Sequence, residues 1–217
     1  MKEKEGLGSG YKYNIQSFTE YMRHARSTAL YLDTTRAPAI SGLMYSTLGI
    51  VSELSEFLHA ADTYRKKIIA KPYIDVIKEA GDVLWYAANI FQDIGINSWE
   101  PELVCSLGMI GDIPQYDGLS RWSMGHAGQI AGAVKKIYRD QPIDTLKEFP
   151  IAIHNEDSRA LIEQSLQAIV FHVIDMASLA NGQADMIDTF RFIMNVNIEK
   201  LYSRRDRGML HGSGDDR

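Results

Sequence analysis

Residues 49–62 read GIVSELSEFLHAAD, and residues 77–93 read IKEAGDVLWYAANIFQD. In both stretches apolar residues recur at three- and four-residue intervals, the period of a helix with one buried face, and neither shows the alternation of a strand. From the residue before the second stretch onward, Val76, Ala80, Val83, Leu84, Ala87 and Phe91 make an apolar stripe, with Glu79, Asp82, Tyr86, Asn89 and Asp93 in a polar stripe beside it. A helix patterned this way is expected to line a cleft rather than to be only core or only surface. The 22 residues between Glu56 and Glu79 are enough to finish one helix, turn at Pro72 and return. The two stretches therefore read as an antiparallel helical hairpin.

Working outward, the same periodicity predicts helices at about 15–32, 39–67, 73–94, 119–139, 157–181 and 184–204, and no run reads as a strand. The expected class is all-α. Pro38 lies near the start of the second helix, Pro72 follows its end and Gly95 ends the third. Pro101 and Pro114 bracket an irregular connection from about 96 to 118, the natural boundary between two halves. The last residues, RRDRGMLHGSGDDR, have little to bury and read as a tail that ligand could order.

With 217 residues the chain can bury a proper core, and its single cysteine, Cys105, excludes an intramolecular disulfide. The N-terminal MKEKEGLGSG has no apolar stretch that could act as a secretory signal, and the longest apolar run, Val83 to Phe91, is too short to span a bilayer. A cytoplasmic protein without a membrane segment is expected. The net charge of −5 argues against extended nucleic-acid binding, which needs a basic face. Small phosphorylated ligands stay open, because carboxylates that hold a divalent cation let an acidic protein attract a polyanion locally.

Glu53 and Glu56 stand three residues apart, as do Glu79 and Asp82. Residues at i and i+3 project from one helix face, so each arm of the hairpin offers two carboxylates in one direction. Packed antiparallel, the arms would bring four together. Spacing alone leaves a second explanation open: acid pairs are common on solvated helix faces, and Asp185 and Asp188 form a third pair in this chain. The histidines at 24, 59, 126, 154, 172 and 211 lack zinc-site spacing, and HGSGD lacks the context of a P-loop. Met176, Met186 and Met194 read as core filler, and Cys105 as a buried thiol.

The run E-L-S-E, then 22 residues, then E-A-G-D-V-L-W-Y resembles the ExxE…ExxD signature of the all-α nucleotide pyrophosphohydrolases, the group of MazG, phosphoribosyl-ATP pyrophosphohydrolase and dimeric dUTPase. At the far end NVNIEKLYSRRDRGMLHGSGDDR is similar to the N-I-x-K-L-x-x-R helix and glycine-rich ending of phage-encoded MazG-like enzymes, and ARSTALY and YSTLGIVSE also resemble those proteins. The resemblance implies a MazG-like helical bundle and hydrolysis of a nucleoside triphosphate to the monophosphate and pyrophosphate. It implies Mg²⁺, with Mn²⁺ as substitute, on Glu53, Glu56, Glu79 and Asp82, one of which would help activate water. It also implies that Asn197, Lys200 and Arg204 reach the nucleotide. From the residues themselves, Trp85, Tyr86 and Asn89 are candidates to meet base or sugar, and Lys135 and Lys136 to meet phosphates.

About one hundred residues separate the W-Y helix from N-I-x-K-L here, more than in a single-unit relative of that family. Within them GHAGQIAGAVKKIYRDQP resembles a worn copy of the first acidic helix, with His126 and Gln129 at the acidic places, and IEQSLQAIVFHV a worn copy of the second, with Gln164 and Gln167. The expected organisation is a metal-bearing half at 1–100, a connection at 101–118, a degenerate second half at 119–204 and a tail at 205–217. Such a pair of hairpins either closes one bundle alone or forms a homodimer. Two other functions stay open at this stage. One is a dUTPase or dCTPase specialised for one base, and the other a catalytically idle helical binding protein.

Overall fold

The helical periodicity becomes six α-helices in the computed structural model, which describes residues 12–29, 39–66, 73–101, 113–180 and 185–208. They are α1 (Phe18–Arg26), α2 (Ala39–Lys66), α3 (Tyr73–Asp93), α4 (Ile113–Asp140), α5 (Glu156–Ala180) and α6 (Met186–Asp206), with one 3₁₀ turn at Ile143–Leu146. No strand occurs among the described residues, and the chain is all-α. Cys105, His211 and the tail beyond Gly208 lie outside the described residues.

Two boundaries differ from expectation. Helix α4 begins at Ile113 rather than near 119, so Pro114 falls in its first turn. There a missing N–H breaks no intrahelical bond, so the proline is compatible with the helix. Helix α1 is shorter than its periodicity suggests, because its ends are set by polar groups. Ser17 accepts from the Glu20 amide at 3.1 Å, and the Glu100 carboxylate, far along the chain, accepts from the amides of Phe18 and Thr19 at 2.8 Å each. At the other end the Ser27 hydroxyl donates to the His24 carbonyl at 2.7 Å. Helix α3 stops as read: Gly95 takes φ +84°, and the Ile96 amide reaches back to the Phe91 carbonyl at 2.8 Å.

Helices α2 and α3 form one hairpin and α4 and α5 another, with α2 against α4 and α3 against α5. Helix α6 crosses back to lie on α3, and α1 packs on both. This makes α3 the central helix, and most of its length from Val76 to Asp93 is buried. The seam of α1, α3 and α6 is aromatic: the Phe18 ring lies 5.7 Å from Tyr21, 6.2 Å from Phe91, 5.5 Å from Trp99 and 5.8 Å from Phe190. Such pairs add about 0.5–1.5 kcal/mol each beyond the area they bury. The Asn195 amide also grips the chain entering α1, accepting from the Ile15 N–H at 2.9 Å and donating to its carbonyl at 3.1 Å. Met176, Met186 and Met194 are core residues, as expected.

Contrary to the expectation from the longest apolar run, α5 is long and apolar enough to cross a membrane by length and composition. Most of its apolar window is buried by its neighbours, and its buried face carries Ser165, His172, Asp175 and Ser178. A core helix of a bundle has this character.

Candidate metal and nucleotide site

Antiparallel packing of α2 on α3 brings their acidic pairs together. Glu53, Glu56 and Glu79 each offer a carboxylate oxygen, and these oxygens lie within 4.8 Å of one another. Close approach of the helices depends on Gly49: a Cβ there would stand 2.1 Å from the Tyr86 ring, which lies across α2 at that point. Tyr86 meets Trp85 edge-on at 4.8 Å and Tyr45 at 6.0 Å between ring centroids. Tyr45, Leu48 and Met44 leave an exposed apolar surface on α2, within three turns before Glu53.

Asp82, one turn beyond Glu79, is gripped from α6. The Asn197 amide donates to Asp82 Oδ1 at 3.0 Å, and the Lys200 ammonium donates to Oδ2. The two helices meet closely here because residue 81 is glycine; a Cβ at Gly81 would stand 2.7 Å from Asn197 Cβ.

Burial first, and crowding of like charges second, set the acidity of Glu53. Burial, then Asp82, Glu56 and Glu79, push its carboxyl up to about 7, with Lys200 opposing. The Tyr86 phenol is held above its ordinary range by burial, by Tyr45 and by the negative charges of Glu53 and Asp82, so it keeps its proton. An all-oxygen, negatively charged donor set, with Glu53 and Glu79 half-buried and Glu56 exposed, suits a hard divalent cation, which would relieve the repulsion among them. The residues present fit such an ion.

The other sequence candidates fall in several places. Trp85 is half-buried and donates through Nε1 to Thr28 Oγ1 at 2.9 Å and the Ala25 carbonyl at 3.2 Å, so it ties α3 to α1. Asn89 is completely buried; its amide donates to the Trp85 carbonyl at 2.9 Å and its oxygen faces Arg26, which pairs with Asp93 at 2.7 Å. That side chain is turned into the α1–α3 seam rather than toward a base or sugar. Asn197, expected at the nucleotide, is also completely buried, with both ends of its amide in use. Lys200 does reach Asp82, and Arg204 lies one turn further along α6, half-buried. Lys135 and Lys136 are exposed near the end of α4, and a cation from α6, Lys200, pairs with Asp82.

Two contributors escaped sequence reasoning. Tyr45 precedes Glu53 by eight residues, a helical spacing that could have flagged it. Tyr21, whose hydroxyl donates to Asn197 Oδ1 at 2.8 Å, looks in sequence like any core tyrosine.

On the second hairpin the residues expected at acidic places are His126, Gln129, Gln164 and Gln167. His126 Nδ1 meets Gln129 Oε1 at 3.0 Å, Ser165 donates to the same oxygen at 3.1 Å, and Gln167 donates to Glu163 at 3.3 Å. Among the described residues Glu53, Glu56 and Glu79 are the one group of three or more side chains placed to hold a metal.

No family model matches the sequence, and no solved structure matches it. Among curated proteins it is similar to the Gene 37 protein of Mycobacterium phage L5, with 37% identity over 110 residues spanning 49% of this chain and 83% of that one. A likeness that covers most of the phage protein at this identity marks common descent, and the chain belongs to the family of the phage L5 Gene 37 protein.

Proposed function

We propose that the chain is a Mg²⁺-dependent nucleoside triphosphate pyrophosphohydrolase of MazG-like type, with Mn²⁺ able to substitute. It would act in the cytoplasm of an infected host. The observation that carries this reading is the convergence of three carboxylate oxygens within 4.8 Å, beside an Asp82 held by a cation from the last helix. A solvated pair of acids would not raise Glu53 to about 7.

Glu53, Glu56, Glu79 and Asp82 would hold the metal, which supplies an activated water and neutralises charge on the phosphates. The water oxygen bonds to the α-phosphorus, the bond from that phosphorus to the bridging oxygen breaks, and the products are a nucleoside monophosphate and pyrophosphate. A carboxylate of the cluster takes the proton of the water. Lys200 and Arg204 supply positive charge on the side facing α6, Arg with a fork that matches two oxygens. Tyr86 and Tyr45 offer aromatic surface beside the cluster. By this reading the second hairpin is a degenerate copy whose His126, Gln129, Gln164 and Gln167 hold no ion. The test is incubation with each canonical ribo- and deoxynucleoside triphosphate plus Mg²⁺. Monophosphate and pyrophosphate should appear for at least one; monophosphate from none would end the proposal.

A further inference from the structure

We propose that Tyr21 is a positioning residue for the metal site: through Asn197 its hydroxyl fixes the carboxylate of Asp82. This rests on the metal-site reading above and adds a residue from α1 to it.

The Asp82 carboxylate, when ionised, only accepts, so the end of the Asn197 amide facing it at 3.0 Å must be the NH₂ group. The amide oxygen then points the other way, toward the Tyr21 hydroxyl at 2.8 Å. That hydroxyl also lies 3.2 Å from the Gly81 carbonyl, a second pure acceptor. With acceptors on both sides, Tyr21 can only donate, and its single hydrogen goes to the nearer one, Asn197 Oδ1. Reversing the amide would set its oxygen against the Asp82 oxygen, so every group in the chain agrees on one orientation.

Burial makes the link matter. Tyr21 and Asn197 are both 0% exposed, so no solvent can replace a lost partner. Tyr21 is itself fixed by the capped, aromatic-packed α1, and Asn197 by the close α3–α6 approach at Gly81. Without the hydroxyl, the amide keeps only its bond to Asp82 and can turn about its own axis, carrying that donor away. Partners that orient a metal-binding carboxylate typically contribute about 10- to 100-fold to affinity or activity.

A plain core cross-link would also contain these bonds, and it predicts a different outcome. The full-length protein is titrated with Mn²⁺ alone, following free Mn²⁺ by electron paramagnetic resonance, for wild type, Tyr21→Phe, Asp82→Asn and the double variant. Helicity is checked by circular dichroism. Tyr21→Phe should weaken Mn²⁺ binding about tenfold at unchanged helicity. In the Asp82→Asn background the same substitution should weaken it no further, because the link has lost its end point. Equal affinity in wild type and Tyr21→Phe, or the same loss in both backgrounds, overturns the positioning role while leaving the metal site standing. Absence of Mn²⁺ binding by wild type overturns the metal site and this role together. Should Tyr21→Phe fold poorly, Asn197→Leu removes the link from its other side and must show the same weakening; unchanged affinity there is equally fatal.

Discussion

Glu53 is half-buried and faces three other acids, and its carboxyl is pushed up to about 7. Its partners are the sharper targets for mutation, since removing one charge with little change of volume separates chemistry from folding. Glu79→Gln or Asp82→Asn should abolish turnover with helical content by circular dichroism unchanged; turnover near wild type in either removes the metal-site assignment. Both acid pairs were legible because three-residue spacing fixes a helix face whatever the tertiary fold. A different titration concerns His172 on the second hairpin, where burial and then His126 push the ring down from 6.5 to about 4. Between those values the unfolded chain binds the proton and the folded one does not, so stability is full above about pH 6.5 and falls as pH drops toward 4. The His172→Gln variant should lose melting temperature less steeply over that range. An equal slope would mean that the ring is not held neutral by the fold.

Among the elements, α6, which brings Asn197 and Lys200 onto Asp82, was the hardest to place. Its helicity and its basic residues were evident in NVNIEKLYSRR, but nothing local says that it returns across about one hundred residues to lie on α3. That packing depends on tertiary fit, above all on Gly81, and only the folded chain displays it. Gly81→Ala should therefore cost about 1–3 kcal/mol through overpacking against Asn197, read as a lowered denaturant midpoint. No loss would mean that the α3–α6 seam has slack. Asn197 and Asn89 show the complementary failure: asparagines on helix stripes look like ligand readers, yet both serve as buried cross-links. Lys200 and Arg204 differ in being charged, and their chemistry can be read kinetically. Lys200→Ala and Arg204→Ala should each lower kcat/KM by roughly tenfold or more, about 1.4 kcal/mol of transition-state binding, with little loss of stability. Residues that merely complement a helix dipole would shift stability slightly and leave kinetics unmoved.

At the scale of the whole molecule, the helical class and the first hairpin followed from periodicity and breakers, because a 3.6-residue apolar repeat has one way to bury itself. The pairing of α2 with α4 and α3 with α5 did not, since many helix pairs have compatible faces. The assembled bundle then holds several carboxylates close together, and that arrangement has a thermodynamic consequence. Like charges confined within a few ångströms destabilise the folded state, whereas in the unfolded chain they separate. An ion that binds only the assembled cluster must therefore stabilise the fold by mass action, about 2.7 kcal/mol at a hundred times its dissociation constant. Saturating Mg²⁺ should raise the Tm of the wild-type protein by several degrees. It should leave the Tm of Glu79→Gln nearly unchanged, which distinguishes binding at this site from a general ionic-strength effect. Calcium-free buffer with matched chloride removes the remaining ambiguity. A wild-type Tm indifferent to Mg²⁺, or a gain equal in both proteins, would mean that the four acids of the first hairpin do not act together on a metal, and the chemistry proposed for them would go with it.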